Sequence, residues 1–336
     1  MNIDMIRSAA DRLAGQVRHT PLLRSPFLDE IASRRVWIKP ECLQHTGSFK
    51  FRGAWSAVSA LDPTVRARGV LGYSSGNHAQ GVALAAARHG VKAVIVMPKD
   101  APRTKIENTR ALGAEVVLYD RAGGEDREAL GNKLAAEQGL TLVRPYDEPQ
   151  VIAGQGTTGL EIATQTAEVG VAQADVIVCC GGGGLASGIA LALEAEAPGL
   201  RVRTAEPQGF DDMARSLAKG NVQRNTQVSG SLCDAIVSPE PGQLTLPILQ
   251  RLAGPGLVVS DDEALRAMAQ AFDRLKLVAE PGGAVALAAA LFRSEEIEGE
   301  DVVVTISGGN VDAEIFGRAL SSDGRTTEPP RVKAPA

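Results

Sequence analysis

Short apolar runs rich in β-branched residues alternate along most of this chain with longer segments of helical periodicity. The runs at 70–74, 92–98 and 114–120 are typical of buried strands, and helical patterns at 78–90 and 102–114 separate them. Parallel strands need crossover connections, which are usually helices. The alternation therefore predicts an α/β fold, with parallel sheets covered by helices on both faces.

The second half of the chain repeats this alternation. Ser260 and Glu263 have the spacing of a capping box at the start of one of its helices. Two such groups predict two α/β domains, with a crossover between them near residues 146–155. The predicted strands of this half are 174–180, 201–207 and 301–309, and its predicted helices are 185–199, 260–275 and 282–294.

The composition of the chain narrows the kinds of molecule that it is expected to bind. The 336 residues carry a net charge of −5 and only 4% aromatic residues, which argues against nucleic acid as a partner. The first 16 residues are typical of an amphipathic helix rather than a signal peptide, and no apolar run is long enough to span a membrane. We therefore expect a cytoplasmic protein with no membrane partner, whose four cysteines are reduced core thiols.

Three glycine-rich turns follow predicted strands: 74–81, 181–185 and 307–310. A turn of this kind points backbone N–H groups at a ligand, and a following helix adds the positive end of its dipole. Because ligands of open α/β sheets bind at the carboxyl ends of the strands, we expect the three turns to meet at one cleft. The four consecutive glycines from Gly181 favour a bound phosphate.

Two ligands fit the second of these turns. Gly181, Gly183 and Ala186 match the G-x-G-x-x-A dinucleotide fingerprint, and Glu206 stands where a ribose-binding acid would lie. On its own, this motif indicates a nicotinamide-dependent enzyme. The phosphate of another cofactor would use the same backbone N–H groups.

The segment "TGSFKFRGA", residues 46–54, places Lys50 between Phe49 and Phe51. Apolar neighbours remove water from an amine and lower its pKa, which makes the neutral, nucleophilic form available. Lys50 is therefore a candidate for covalent chemistry.

Five motifs taken together resemble one family. "TGSFKFRGA", "SSGNHAQG", "GGGGL", "AEPGGA" and "TISGGN" occur in the order and approximate spacing of the pyridoxal-phosphate (PLP) enzymes of the threonine dehydratase and serine racemase family. The resemblance extends from about residue 21 to residue 317. It implies fold type II, similar to the tryptophan synthase β subunit, with two open twisted parallel-sheet domains and a homodimer.

The resemblance also implies domain boundaries. A large PLP-binding domain would comprise 1–60 and 149–320, and a small mobile domain would span 61–148 and close over the substrate. The tail at 321–336 is polar and proline-rich, which predicts disorder.

Residue roles follow from the motifs that match. Lys50 resembles the Schiff-base lysine and catalytic base, and Phe49 would pack on the cofactor ring. Asn77 would bind the ring hydroxyl, Glu280 is an acid near the cofactor, and Ser307 would meet the pyridine nitrogen. The implied phosphate cradle is formed by Gly181, Gly182, Gly183, Gly184 and Leu185.

The resemblance also implies a substrate site and a metal site. Ser75 matches the acid/base of serine racemases on the ring face opposite the lysine, although a loop hydroxyl can also simply cap a helix. The loop that would bind the substrate carboxylate contains Ser74, Ser75, Asn77 and His78. The implied ligands of Mg²⁺ or Ca²⁺ are the carboxylates of Glu206 and Asp212 and the main-chain carbonyl of Phe210.

The activity implied is that of a carbon–nitrogen lyase, an L-threonine/L-serine ammonia-lyase. A serine at position 307 leaves the ring nitrogen neutral, which favours loss of a β-hydroxyl over transamination. The alternatives are a serine racemase or a 3-hydroxyaspartate ammonia-lyase and, more distantly, a nicotinamide-dependent oxidoreductase. Three further positions bear on the choice of substrate: His45, Arg127 and Ser229, where many relatives have an aspartate before the glycine.

Overall fold

The computed structural model describes residues 1–101, 103–121, 123–227 and 229–321. Its strands are β1 (Leu23–Arg24), β2 (Arg35–Pro40), β3 (Val70–Tyr73), β4 (Ala93–Pro98), β5 (Glu115–Tyr119), β6 (Thr141–Leu142), β7 (Ala174–Cys179), β8 (Leu200–Pro207), β9 (Leu257–Val259) and β10 (Asp301–Ile306). Its α-helices are α1 (Ile3–Leu13), α2 (Pro26–Ala32), α3 (Lys50–Ser59), α4 (Pro63–Arg66), α5 (Asn77–Arg88), α6 (Arg103–Ala111), α7 (Arg127–Gln138), α8 (Pro149–Glu168), α9 (Gly184–Glu196), α10 (Asp212–Lys219), α11 (Thr245–Leu252), α12 (Asp261–Leu275), α13 (Pro281–Phe292) and α14 (Ala313–Ser321).

The strands form two sheets. The first has the order β1-β2-β10-β7-β8-β9 and the second the order β5-β4-β3-β6. Every pairing is parallel except that of β1 with β2. The predicted α/β fold with parallel sheets is therefore confirmed.

The central strands are buried on both faces, which explains their nearly continuous apolar sequence. In β10, Val302 and Val304 pack with α13, whereas Val303 packs with α9 on the other face. Helix α13 is apolar on every side because it lies between this sheet and α12. The capping box of Ser260 and Glu263 is present at the start of α12.

The longest helix, α8, forms the crossover between the two sheets that was predicted near residues 146–155, but its helical conformation was not predicted. The helix has 20 residues and begins at Pro149, with Glu148 as its N-cap. Several glycines within it lowered its apparent helical propensity. They serve close packing instead: a Cβ on Gly154 would lie 2.5 Å from the carbonyl oxygen of Arg52 on α3.

An ionic cluster of Lys39, Glu41, Arg52 and Glu161 joins α3 and α8 to the end of β2. The Arg52 guanidinium donates to Glu41 Oε2 at 2.7 Å and to Glu161 Oε1 at 2.6 Å. Lys39 Nζ donates to Glu161 Oε2 at 2.6 Å. Lys39, Glu41 and Arg52 are fully buried. Two cations and two anions balance, so the cluster is a neutral buried network that fixes α3 against its neighbours.

The four strands of the second sheet all lie within the predicted small domain at 61–148. The mobility of that domain stays a prediction. Most of the tail predicted to be disordered, residues 322–336, lies outside the described residues, whereas Ser321 ends α14. None of the helices in the described ranges has the length and apolar character needed to span a membrane.

Candidate active site

A cavity of about 630 Å³ lies where the carboxyl ends of β3, β7 and β10 meet. The turns that follow these strands contribute Ser74–Asn77, Gly181–Gly184 and Ser307 to its wall. The predicted convergence of the three glycine turns on one cleft is therefore confirmed. The other predicted residues that line the cavity are Phe49, Lys50, His78, Leu185 and Glu280.

Lys50 is the first residue of α3, and its amine extends into this cavity. Lys50 Nζ donates to the Pro145 carbonyl oxygen at 2.7 Å and lies 5.0 Å from the ring centroid of Phe49. Burial lowers the pKa of the amine to about 8, against a smaller opposing effect of the Glu280 carboxylate. A substantial neutral fraction is thus available near pH 8.

The two phenylalanines beside Lys50 face different surroundings. Phe49 lines the cavity, and its N–H donates to the Ser307 carbonyl oxygen at 3.1 Å. Phe51 is fully buried and packs edge-on against the His45 ring, 5.2 Å between centroids. His45 is not among the residues that line the cavity, so it does not touch a ligand bound there directly.

The run of four glycines forms the turn at the start of α9, a position suited to an anion. Gly183 has φ +93°, a conformation that favours glycine, and its carbonyl oxygen accepts the first helical hydrogen bond, from Ser187. By helix geometry, the preceding N–H groups have no partner within the helix. A Cβ on Gly182 would lie 2.3 Å from ring carbons of Tyr146, so only glycine leaves this space open.

The turn before α5 brings polar groups to a helix N-terminus. Ser74 Oγ accepts from the Gly76 N–H at 3.1 Å, and α5 begins at Asn77. His78 Nε2 lies 2.9 Å from the Val143 carbonyl oxygen, which can only accept, so the ring proton is on Nε2. Burial lowers the pKa of His78 to about 3 and keeps the ring neutral. Its Nδ1 is buried without a hydrogen-bond partner among the described residues.

Glu280 lines the cavity as the N-cap of α13. Burial raises the pKa of its carboxyl to about 7, and the Asn77 amide and Lys105 oppose that rise. Asn77 Nδ2 donates to Glu280 Oε1 at 2.5 Å. This contact joins the turn after β3, in the second sheet, to the start of α13, which packs on the first sheet.

Sequence reasoning missed several residues that line the cavity. Tyr146 covers the glycine cradle, and Gln155 accepts from the Gly53 N–H at 3.2 Å. Asp234 pairs with Lys105 at 3.7 Å. Ser229, at the position where the resemblance implies an aspartate, also lines the cavity, and Asp234 supplies an acid to the wall five residues later.

Arg127 lines the cavity from the start of α7. Its guanidinium lies 5.5 Å from the ring centroid of Tyr73. In the part of the chain that the structure describes, it forms no ion pair. Its side chain is half-buried at the cavity wall and is therefore not a fully solvated charge.

The three predicted metal ligands lie away from this cavity. Both Glu206 oxygens accept backbone N–H groups at the start of α10, from Met213 at 2.9 Å and Ala214 at 2.7 Å. Asp212 Oδ1 accepts from Asn225, while Oδ2 is buried without a partner. Across the described ranges, no group of three or more His, Cys, Asp and Glu side chains could hold a metal ion. The dinucleotide interpretation also loses support, because both Glu206 oxygens already accept backbone N–H groups of α10.

Comparison with known proteins identifies the family. Residues 13–308 match the family model described as pyridoxal-phosphate dependent enzyme. The chain belongs to this family. The match covers most of the chain, and it favours PLP over a nicotinamide cofactor for the cavity.

Individual relatives of this PLP-dependent chain cover nearly its whole length. It is 41% identical over 317 residues to an L-threo-3-hydroxyaspartate ammonia-lyase of Pseudomonas sp., covering 94% of this chain and 97% of that protein. It is 38% identical over 318 residues to a serine racemase of Schizosaccharomyces pombe, covering 95% and 97%. The crystal structure of a threonine deaminase from T.th. matches with a TM-score of 0.87 and 42% identity, covering 93% and 99%. The predicted family and fold type II architecture are confirmed.

The cavity of this PLP-dependent chain fits the cofactor of its family. It combines an amine of lowered pKa, Lys50, with a cradle of N–H groups that only glycine keeps open. Two buried polar atoms at its wall, His78 Nδ1 and Gln155 Nε2, have no hydrogen-bond partner among the described residues. Buried polar groups are normally paired, so these atoms are consistent with a polar ligand.

Proposed function

We propose that this chain is a PLP-dependent ammonia-lyase that converts L-threonine and L-serine to 2-oxo acids and ammonia. The observation that carries the proposal is Lys50, an amine with a pKa near 8 beside both a phosphate cradle and a carboxylate-binding turn. The ammonia-lyases among its relatives support the reaction class.

In the proposed enzyme, five kinds of contact would hold PLP. Lys50 would bind it covalently, Phe49 would pack on its ring, Asn77 would donate to the ring hydroxyl, Ser307 would meet the ring nitrogen, and the cradle would bind the phosphate. The cradle consists of Gly181, Gly182, Gly183, Gly184 and Leu185. When bound, PLP withdraws electrons from the α-carbon of an amino acid and makes its α-hydrogen acidic.

The chain's own residues then bind the substrate and move the proton. The turn of Ser74, Ser75, Asn77 and His78 binds the substrate carboxylate, helped by the α5 dipole. The neutral amine of Lys50 takes the α-proton, and its lowered pKa suits a base that works near neutral pH. The hydroxyl of Ser307 carries no charge, which favours departure of the β-hydroxyl over transamination.

The pH dependence of cofactor uptake tests the state of Lys50. An amine must be neutral to attack an aldehyde, so the rate at which the apo-enzyme takes up PLP covalently should rise with pH and level off above about 8. Glu280→Gln removes an anion that raises the Lys50 pKa, so its midpoint should lie lower. Stopped-flow absorbance measures both profiles. A midpoint near 10.5, the ordinary lysine value, would contradict the assignment.

A second candidate substrate, L-threo-3-hydroxyaspartate, is favoured by Arg127. A cation without an ion pair at the cavity wall is suited to a second carboxylate. Two relatives, one from Pseudomonas sp. and one from Saccharomyces cerevisiae, act on this compound by name. Racemisation of serine is a third candidate activity. The Ser75 hydroxyl in the same cavity and the serine racemases among the relatives support it.

A substrate panel decides among these activities. Release of 2-oxo acid is measured with L-serine, L-threonine and the isomers of 3-hydroxyaspartate, and D-serine is assayed separately. Arg127→Gln should raise KM for 3-hydroxyaspartate about tenfold to a hundredfold and leave KM for serine unchanged, because only the dicarboxylate uses the guanidinium. No turnover of L-threonine would reject the first candidate. An equal change for both substrates would reject the role of Arg127.

Four further features stay predictions: the closure of residues 61–148, the homodimer, the cytoplasmic location, and Mg²⁺ or Ca²⁺ bound at Glu206, Phe210 and Asp212. Of the two implied carboxylates, only Asp212 has a buried oxygen without a partner among the described residues, because both Glu206 oxygens accept backbone N–H groups.

A further inference from the structure

We propose that Asn310 is a positioning residue that fixes the orientation of the Asn77 amide and thereby the strength with which the cavity holds PLP. Asn310 belongs to the third glycine turn, after β10, and the functions assigned above leave it without a role. The inference rests on the proposed contact between Asn77 and the cofactor.

The Asn310 amide joins the segment before Lys50 to Asn77, a residue of the cavity wall. Its Nδ2 donates to Asn77 Oδ1 at 2.8 Å and to the Thr46 carbonyl oxygen at 2.8 Å. Asn77 in turn donates from Nδ2 to Glu280 Oε1 at 2.5 Å. A continuous chain of hydrogen bonds thus runs from the segment before Lys50 to Glu280.

The chemistry of the partners determines which way each amide points. The Thr46 carbonyl can only accept, so the NH₂ group of Asn310 must face it. The second N–H of that group then meets Asn77, which must present its oxygen. Asn77 Nδ2 is thereby turned toward Glu280, with one N–H donated to the carboxylate and one left for a ligand in the cavity.

The backbone at positions 46 and 47 leaves space for the Asn310 amide and its hydrogen bonds. Gly47 has φ +72°, and a Cβ on it would lie 2.6 Å from Asn310 Oδ1, so a side chain at position 47 would displace the amide. Thr46 has φ +59°, a strained conformation for a β-branched residue. The other non-glycine residues with positive φ in the described chain, Ser33 and Lys276, are helix C-caps, where such a φ is common. The carbonyl that Asn310 binds therefore belongs to the strained residue four positions before Lys50.

Asn310→Asp tests the proposal with almost no change of shape. A carboxylate cannot donate, so the Asn77 amide should turn its NH₂ toward position 310 and its oxygen toward Glu280. The N–H offered to the cofactor is then lost. We expect PLP to dissociate about tenfold more readily, and the absorption spectrum of the bound cofactor to change as it does in Asn77→Ala. Asn310→Ala serves as a second variant, with the same expected loss.

A double-mutant cycle distinguishes positioning from a general weakening of the fold. In the Asn77→Ala background, Asn310→Asp should weaken PLP binding much less than tenfold, because it acts through Asn77. A full tenfold loss in both backgrounds would overturn the proposal. Asn2→Asp, at the N-cap of α1, adds the same charge away from the cavity and should bind PLP as the wild type does.

The same variants separate this inference from the proposed function. If Asn77→Ala leaves the PLP dissociation constant unchanged, the proposed contact of Asn77 with the cofactor fails. If Asn77→Ala weakens binding but both Asn310 variants do not, the positioning role of Asn310 alone is overturned. Thermal unfolding of each apo-protein shows whether the fold is retained.

Discussion

Replacing Lys50 with alanine is expected to lower the release of 2-oxo acid from L-serine by about a thousandfold or more. The substitution removes both the amine that binds PLP and the base that takes the α-proton. The apo-protein should keep its fold, because Lys50 Nζ makes a single hydrogen bond to a backbone carbonyl and its burial opposes its charge. Steady-state kinetics measures the first effect, and thermal unfolding of the apo-protein measures the second.

Lys105 provides the matched control, because it is a second lysine at the wall of the same cavity. Its amine is paired with Asp234. Lys105→Ala should therefore retain covalently bound PLP, as judged by visible absorbance after gel filtration, whereas Lys50→Ala should lose it. The assignment of Lys50 would be wrong if the Lys50→Ala variant still bound PLP covalently. It would also be wrong if only the Lys105→Ala variant lost covalently bound PLP.

Replacing Arg52 with methionine is expected to lower the free energy of unfolding by about 3–5 kcal/mol. The guanidinium is fully buried between Glu41 and Glu161, so its removal leaves two carboxylates with one cation, Lys39. Methionine fills much of the volume of the arginine side chain, so the loss of stability reports on the missing positive charge rather than on a cavity. Urea denaturation of the apo-protein, followed by circular dichroism, measures the change.

A matched control comes from Arg7, which pairs with Glu196 on the surface. Arg7 is more than half exposed, and exposed ion pairs contribute little to stability. Arg7→Met should therefore unfold near the wild-type midpoint. Equal midpoints for the Arg7 and Arg52 variants would mean that the ionic cluster does not hold α3 in place.

The sequence predicted most of the elements that carry the site. Alternating apolar and helical segments placed β3, β7 and β10 correctly, because strands buried on both faces need continuous apolar residues. The glycine turns after them were predicted to meet, since parallel strands end at the same edge of a sheet. The motif around Lys50 and the order of the five motifs identified the family.

The sequence failed where tertiary contacts override local preference. Helix α8 was missed because its glycines lower helical propensity, although they allow its backbone to approach α3 closely. Asp234 was missed because nothing in its neighbours marks it as lining a cavity. Asn310 was seen as part of a turn, but its partners Thr46 and Asn77 are more than 230 positions away.

By itself, the sequence determined the fold class and the cofactor family, and it singled out Lys50 as the candidate reactive amine. These properties depend on local chemistry: periodicity, runs of glycine, and the residues beside Lys50. Only the tertiary structure decided that the pKa of Lys50 falls to about 8, that Arg127 reaches the cavity, and that Glu206 caps a helix. The burial of a group, the electric field of nearby charges and the available hydrogen-bond partners all depend on its three-dimensional surroundings. Segments that lie far apart in the chain create those surroundings.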